Sequence, residues 1–449
     1  MITLTAEVKY AVHFVVFVAW IVFFEFFCNA YAVTDSSAAG EEDFDPIERY
    51  GTLVTLVLYS LRLISLLVLP QCICNMLGPE KVALKAAPML APFVCFRVVT
   101  KGDYPELVRQ NIAKNLQTCY DAGIENFMFE VVSDKPLVLC SEARVRQINV
   151  PPSYSTKTGA KFKARALQYC LEDNVSDLRD DEWIVHLDEE TLLSTNSVCG
   201  ILNFCVDGKH PFGQGVITYA NGEIVNWITT LSDSFRVADD MGKLRFQFNF
   251  FHKPLFGWKG SFVVTQVGAE RKVTFDHGPE GSIAEDCFFS MVAYRDGYSF
   301  NFIEGEMYEK SPFTYWDFLQ QRKRWLQGIF LTVHSKAIPL RCKILLALSL
   351  YAWVTMPFTS LQVLLCAIAP LPKYPLIDVL VAYVAAVNLY MYLFGVVKQN
   401  GWRLLLYSAG ALLTVPFNIF IENVAVLLGI FGRKDEFYVV KKDVSIIDV

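Results

Sequence analysis

The apolar residues of this chain are gathered into blocks at its two ends, and that division limits what it can fold into more than any other feature. Hydrophobic residues make up 53% of the 449, above the usual share for a soluble domain. Tyr10–Val33 is long enough to cross a bilayer and is interrupted only by Glu25. It is too long for a signal peptide and no small-x-small cleavage site closes it. Glu25 suits a pore or acceptor contact, or a position near the interface facing other helices. A second span covers Leu53–Leu69 and contains Arg62. After residue 338 the apolar blocks return at about 344–370, 376–397 and 403–431, with Pro357 and Pro416 as expected kinks or re-entrant points.

Loop charge sets an expected orientation. The acidic stretch Asp35–Glu48 lies between the first two spans, while Lys81, Lys85, Arg97 and Lys101 follow the second. By the positive-inside rule the first loop is lumenal and the centre of the chain is cytosolic. The C-terminal end conflicts with this. Three crossings would leave the tail in the lumen, yet Arg433, Lys434, Lys441 and Lys442 favour the cytosol. One block either enters twice or only dips. The expected divisions are 1–75 (two spans), 90–335 (catalytic domain), 338–432 (about three spans) and 433–449 (a short basic tail).

From about 90 to 335 the sequence resembles a soluble α/β protein. Strand-length apolar runs at 93–99, 126–132, 143–150, 182–187 and 213–220 alternate with helix-like stretches such as Glu106–Asp121 and Ala160–Asp173. That alternation predicts a mostly parallel sheet covered on both faces, with ligands at the carboxyl ends of its strands. The net charge is −6 and no long basic run occurs, so no nucleic-acid partner is expected. Twelve scattered cysteines form no CxxC pair, which argues against a zinc module and for a reducing compartment. Cys72 and Cys74 sit beside a span, where acylation or plain apolar packing would suit them.

Four polar elements stand at strand ends or helix starts. Ser133–Asp134 closes FMFEVV, where an acid meets a base or ribose or simply makes a turn; Thr100 ends the preceding strand in the same way. His186-Leu187-Asp188-Glu189-Glu190 closes EWIV. Asp188 and Glu190 alternate with Glu189, so both can face one ligand, and hard carboxylate oxygens suit Mn²⁺ or Mg²⁺. A solvated acidic loop is the competing reading, and His186 is expected to be a satisfied core histidine. Glu285–Asp286 opens a helical pattern, as a general base or as favourable charge at a helix start. Finally, Gln321, Arg324 and Trp325 share one side of a helix. Arg324 can fork onto phosphate, and Arg322 and Lys323 suit anionic lipid.

In this order the elements resemble those of the family 2 glycosyltransferases with the GT-A fold: a strand-end acid, a D-x-D-like element, an E-D and a Q-x-x-R-W. KFKARALQYCLE (161–172) also resembles that family's helix beneath the donor, with Lys163 and Arg165 as phosphate contacts. The runs FRVVTKGDYPELVRQNI, FEVVSDKP, HLDEET, FGWKGSF, DHGPEGSIAEDCFFS and FLQQRKRWLQGIF are similar to the Egghead family of invertebrate β-1,4-mannosyltransferases. The resemblance implies transfer of mannose from GDP-mannose to glucosylceramide with inversion, in Golgi or endoplasmic reticulum membranes, with the catalytic domain facing the cytosol. It implies Asp286 as base; Thr100, Asp134, Lys163, Asp188, Gln321, Arg324 and Trp325 at the donor; Asp188 and Glu190 at a divalent metal; and Trp258, Lys259, Gly260 and Glu285 at the acceptor. The metal element departs from the family pattern, reading D-E-E. A processive polysaccharide synthase shares all four elements but needs a channel, and it is separated by product length. A lipid acceptor would stay in the bilayer, because each exposed methylene costs about 0.8 kcal/mol.

Overall fold

A computed structural model describes residues 5–28, 44–76, 78, 83–85, 88–139, 142–222, 224–400, 404–434 and 436–442. Most of the acidic loop expected over 35–48, Lys81, and residues 443–449 of the tail lie outside the described residues.

The centre of the chain is built on a seven-stranded sheet. Its strands are β1 (Val94–Thr100), β2 (Phe127–Ser133), β3 (Val145–Asn149), β4 (Trp183–Asp188), β5 (Phe212–Thr218), β6 (Val263–Gln266) and β7 (Phe300–Tyr308), in the order β3-β2-β1-β4-β6-β5-β7. The short β6 runs antiparallel between β4 and β5, and every other pairing is parallel. This is the expected α/β GT-A domain with a mostly parallel sheet. The five strands read from the sequence fall within two residues of their expected places, while β6 and β7 were missed. β7 mixes Glu304, Gly305 and Glu306 into its run and so carries neither a continuous nor a cleanly alternating apolar pattern. Gly305 has φ +100°, and a Cβ there would lie 2.5 Å from the Asn196 carbonyl oxygen, so a side chain would push β7 off the helix Thr195–Asp207.

Register is held by charge as well as by apolar packing. Arg97 of β1 stands opposite Glu130 of β2 on one side and His186 of β4 on the other. Its Nε donates to Glu130 at 2.6 Å and its Nη1 to Glu270 at 3.2 Å. His186 Nε2 meets the second Glu270 oxygen at 2.6 Å. All four side chains are buried, so His186 is the satisfied core histidine the sequence suggested. Shifting β1 by one residue would turn Arg97 to the other face and take from Glu130 and Glu270 the guanidinium they share.

Four helices are long and apolar enough to cross a membrane: Glu7–Phe27, Thr52–Cys74, Pro375–Gln399 and Leu406–Phe431. Leu340–Val354 and Met356–Cys366 form a further pair bent by 52°. Pro357 lies at the start of its second arm, where a missing N–H costs nothing, whereas Pro416 sits inside an unbroken helix. Glu25 is buried, and Arg62 pairs with Asp378 and donates to the Pro372 carbonyl at 3.0 Å. Cys72 packs, buried, among the helices.

The two C-terminal apolar helices differ in how they meet the sheet domain. Helix Pro375–Asn400 has one end at Arg62, through Asp378, and the other at the domain, where Gln399 donates to Ser234 at 3.1 Å. Helix Leu404–Phe431 touches the domain at both ends. Tyr407 stacks on Trp227 at 5.0 Å, and Gln327 donates to the carbonyls of Gly429 at 3.2 Å and Arg433 at 2.7 Å.

Arg97→Met should cost about 3–5 kcal/mol, the usual scale for leaving buried charges unpaired. Arg109→Ala, which removes an exposed pair with Glu106, should stay within about 0.5 kcal/mol. Thermal unfolding of the two variants in the same detergent checks the difference.

Candidate active site

The parallel register brings the strand-end residues into line. Thr100 stands opposite Ser133, and Val99 opposite Asp188, so β1, β2 and β4 finish together at one edge of the sheet. Beyond that edge lies a cavity of about 700 Å³ lined by Thr100, Asp134, Lys163, Asp188, Glu189 and Glu190. Trp258, Lys259, Gly260, Glu285, Asp286, Gln321, Arg324 and Trp325 line the same cavity. The structure therefore brings the residues expected at the base, donor, acceptor and metal to one place, while Arg165, expected as a second phosphate contact, does not line the cavity and pairs with Asp134 instead.

Lys163 is at the centre of the acids. Its Nζ lies 2.5 Å from Asp188, 3.6 Å from Glu285 and 3.3 Å from the Gly260 carbonyl. Burial alone would pull this ammonium down, but the carboxylates of Asp188 and Glu285 outweigh it and raise its pKa. For Asp188, burial is the largest single influence and pushes up, but the charge and hydrogen bond of Lys163, with the charges of Lys442 and Arg324, together pull the carboxyl below its ordinary value. Asp134 pairs with Arg165 at 2.5 Å. Thr100 donates to Glu189 and accepts from the Gly102 N–H at 2.9 Å.

Asp286 opens the helix Glu285–Arg295. One of its oxygens accepts from the Cys287 N–H at 2.7 Å, and the Trp258 indole donates to its backbone carbonyl at 2.7 Å. Burial first, and then the like charge of Glu285, push the Asp286 carboxyl up to about 7. A carboxylate of that basicity in a cleft is suited to taking a proton near neutral pH. Trp258 is 7% exposed and stacks flat against Phe289 at 5.6 Å. Its main part is thus to hold the Asp286 helix start, with little of its ring left for a ligand. Lys259 pairs with the buried Asp240 and donates its N–H to Gln214 at 3.1 Å.

Arg322 overturns one expectation. It is not a lipid-facing cation: it is 5% exposed, paired with Asp233 and, at 3.2 Å, with Glu422 of the helix Leu404–Phe431. Its partners lie about a hundred residues away on either side in sequence, so only the fold reveals them.

Two features of the site went unread. Glu309 follows β7 and lines the cavity. Burial, and then the charges of Glu190 and Asp188, raise its carboxyl to about 7. An acid directly after a parallel strand is the signal that marked Asp188, and it was lost because β7 was not recognised. The second is the C-terminal segment, set aside as a basic tail. Phe437 stacks on Phe162 at 5.1 Å, with the Arg324 guanidinium 4.3 Å over its ring. The Tyr438 hydroxyl donates to Asp317 at 2.7 Å. Lys442 reaches Glu189 at 2.7 Å and Glu190 at 2.5 Å. Residues 436–442 therefore lie against the cavity.

The acids fit a divalent cation in part. Asp188 and Glu190 offer hard oxygens, and each already draws an ammonium group, Lys163 and Lys442. Among the described residues no three His, Cys, Asp or Glu side chains converge on one ion position. Further oxygens, such as those of a diphosphate, would have to complete the shell.

Comparison with known proteins agrees with this architecture. Residues 183–398 match the glycosyl transferase family group 2. The chain is similar to beta-1,4-mannosyltransferase bre-3 of Caenorhabditis elegans, with 65% identity over 98% of this chain and all of that protein. It is similar to beta-1,4-mannosyltransferase egh of Drosophila melanogaster, with 56% identity over 99% of this chain and all of that one. Among solved structures it is similar to the mannosyltransferase PcManGT from Pyrobaculum calidifontis, in complex with GDP-Man and Mn²⁺. That likeness has 13% identity and a TM-score of 0.47, covering 84% of this chain and 98% of that one, and supports no statement about ligands here. By its strand order, its cavity of acids at the strand ends and its full-length relatives, the chain belongs to the beta-1,4-mannosyltransferase family of bre-3 and egh, a group of family 2 glycosyl transferases.

Proposed function

We propose that this protein transfers one mannose from GDP-mannose to glucosylceramide, with inversion, at a membrane surface. The observation that carries the reading is Asp286, a half-buried carboxyl raised to about 7 in a cavity that also holds Lys163 and Arg324. The relatives' names supply the sugar and the β-1,4 linkage. The resemblance described above supplies the nucleotide and the acceptor.

The chemistry needs no enzyme nucleophile. An acceptor hydroxyl attacks the anomeric carbon of an α-linked donor while Asp286 takes its proton, and the bond to the diphosphate breaks as the β bond forms. Arg324 and Lys163 are cations within reach of the departing charge, and preorganised charge of this kind is usually the largest catalytic contribution. Asp188 and Glu190 would hold a divalent cation, which would supply further charge stabilisation to the diphosphate when bound. Gln321 and Trp325 present an amide and an aromatic face to the same cavity.

The wall of the cavity includes Trp353, Asn418 and Glu422, which belong to the apolar C-terminal helices. A lipid headgroup can therefore meet the base with its chains still in the bilayer. Because the tail returns to the cavity and Leu404–Phe431 meets the domain at both ends, we take that helix as lying along the membrane face. The bent pair and Pro375–Asn400 then make the outward and return crossings. Residence in Golgi or endoplasmic reticulum membranes, with the cavity on the cytosolic side, belongs to the same proposal.

The test is purified protein in nanodiscs with Mn²⁺, radiolabelled GDP-mannose and glucosylceramide, and with UDP-sugars as controls. Label should appear as a single mannose on lipid; a polymer would favour the processive synthase instead. Asp286→Asn should lower kcat by at least about 100-fold. The base works only when ionised, so wild-type kcat/KM should rise with pH and level off above about 7. Chelation should abolish transfer and Mn²⁺ restore it. Glu190→Gln should raise the Mn²⁺ needed for half-maximal rate by about tenfold, the scale of one charge-assisted contact.

A further inference from the structure

We propose that Tyr219, Ser232 and Asn418 form a hydroxyl-recognition subsite that grips the sugar head of the membrane-held acceptor. The inference rests on the cavity being a glycosyl-transfer site, but not on which sugar the acceptor carries.

The three residues come from distant parts of the chain. Tyr219 follows β5, Ser232 is on the helix Trp227–Asp239, and Asn418 is on the apolar helix Leu404–Phe431. They are 2%, 1% and 8% exposed, and all three line the cavity. Yet the Tyr219 hydroxyl, the Ser232 hydroxyl and Asn418 Oδ1 have no hydrogen-bond partner among the described residues. A buried polar atom without a partner is costly, and these three, with Asp239 Oδ1, Gln321 Oε1 and Arg324 Nε on the same cavity, call for a ligand that satisfies them.

Their surroundings specify what kind of ligand. Arg236 lies 4.9 Å over the Tyr219 ring and 4.2 Å over the Trp325 ring. Arg322 lies 4.7 Å over the same ring and forms an ion pair with Glu422, one turn beyond Asn418. The charges along this wall are paired with one another: Arg322 with Asp233 and Glu422, Arg236 with Asp233 at 3.7 Å. Neutral hydroxyl and amide groups on a wall whose Arg236, Arg322, Asp233 and Glu422 are already paired match a polyhydroxylated ring. Asn418 Oδ1 accepts only, so it selects a hydroxyl that donates to it. Because Asn418 sits on a helix apolar enough to enter a bilayer, a ring held there can remain attached to its lipid.

The experiment measures acceptor and donor kinetics separately in nanodiscs for wild type, Tyr219→Phe, Ser232→Ala and the double variant, with Asn418→Leu as a third single change. Each single variant should raise the acceptor KM by about 3- to 10-fold and the double by about 10- to 100-fold, while donor KM stays within about twofold. Thermal midpoints of Tyr219→Phe and Ser232→Ala should hold or rise, because each removes an atom that has no protein partner. An unchanged acceptor KM in the double variant overturns the subsite. So does a fall in midpoint with both KM values moving together, which would mark a structural role. If wild type acts on a lipid other than glucosylceramide, the acceptor named above fails, and the same variants on that lipid decide the subsite. If it acts on none, a photoreactive glucosylceramide should still label cavity peptides of wild type and lose that labelling in the double variant; no cavity adduct in wild type refutes the subsite.

Discussion

One row of buried charge, Glu130–Arg97–His186 with Glu270 beneath it, sets the alignment on which the site depends. Backbone pairing alone permits β1 to slide against β2 and β4, since each is a nearly continuous apolar run with little to distinguish one register from the next. The charges remove that freedom. With Arg97 between Glu130 and His186, Thr100, Ser133 and Asp188 must end side by side. An apolar row of equal volume could be as stable, but it would not choose one register so sharply.

From that edge the site is assembled by separate elements with separate tasks. The β4 end supplies Asp188 and Glu190. The helix beginning at Glu285 supplies Asp286, held from behind by Trp258. The helix Tyr315–His334 supplies Gln321, Arg324 and Trp325, and is anchored through Arg322 to Asp233 in the domain and Glu422 in the apolar helix. That double anchor ties the apolar helix Leu404–Phe431 to the helix that carries Gln321, Arg324 and Trp325, so residues of both line one cavity.

How much of this could be read from the chain follows from where the determining contacts lie. Runs such as FVCFRVV and EWIVHL are strands because apolar residues must be covered on both faces, a local fact. Asp134, Asp188 and Asp286 were found because an acid next to a buried element is locally conspicuous. Glu309 is hidden because Glu304, Gly305 and Glu306 break the apolar pattern of the strand before it, whereas Arg322 and Lys442 are defined by remote partners. The partners of Arg322 are Asp233 and Glu422, and those of Lys442 are Glu189 and Glu190, some 250 residues away. The conflict over the tail has the same origin. Counting apolar blocks does not reveal that Leu404–Phe431 meets the same domain at both ends.

The central claim is a single displacement at an anomeric carbon with Asp286 as base. The measurement that tests it most directly is the structure of the lipid product by NMR, after complete reaction of GDP-mannose with glucosylceramide. One β-linked mannose per lipid is the result expected from one in-line attack. An α-linked mannose, or a chain of several sugars, would contradict it, the first by requiring a second displacement and the second by requiring a path for a growing polymer.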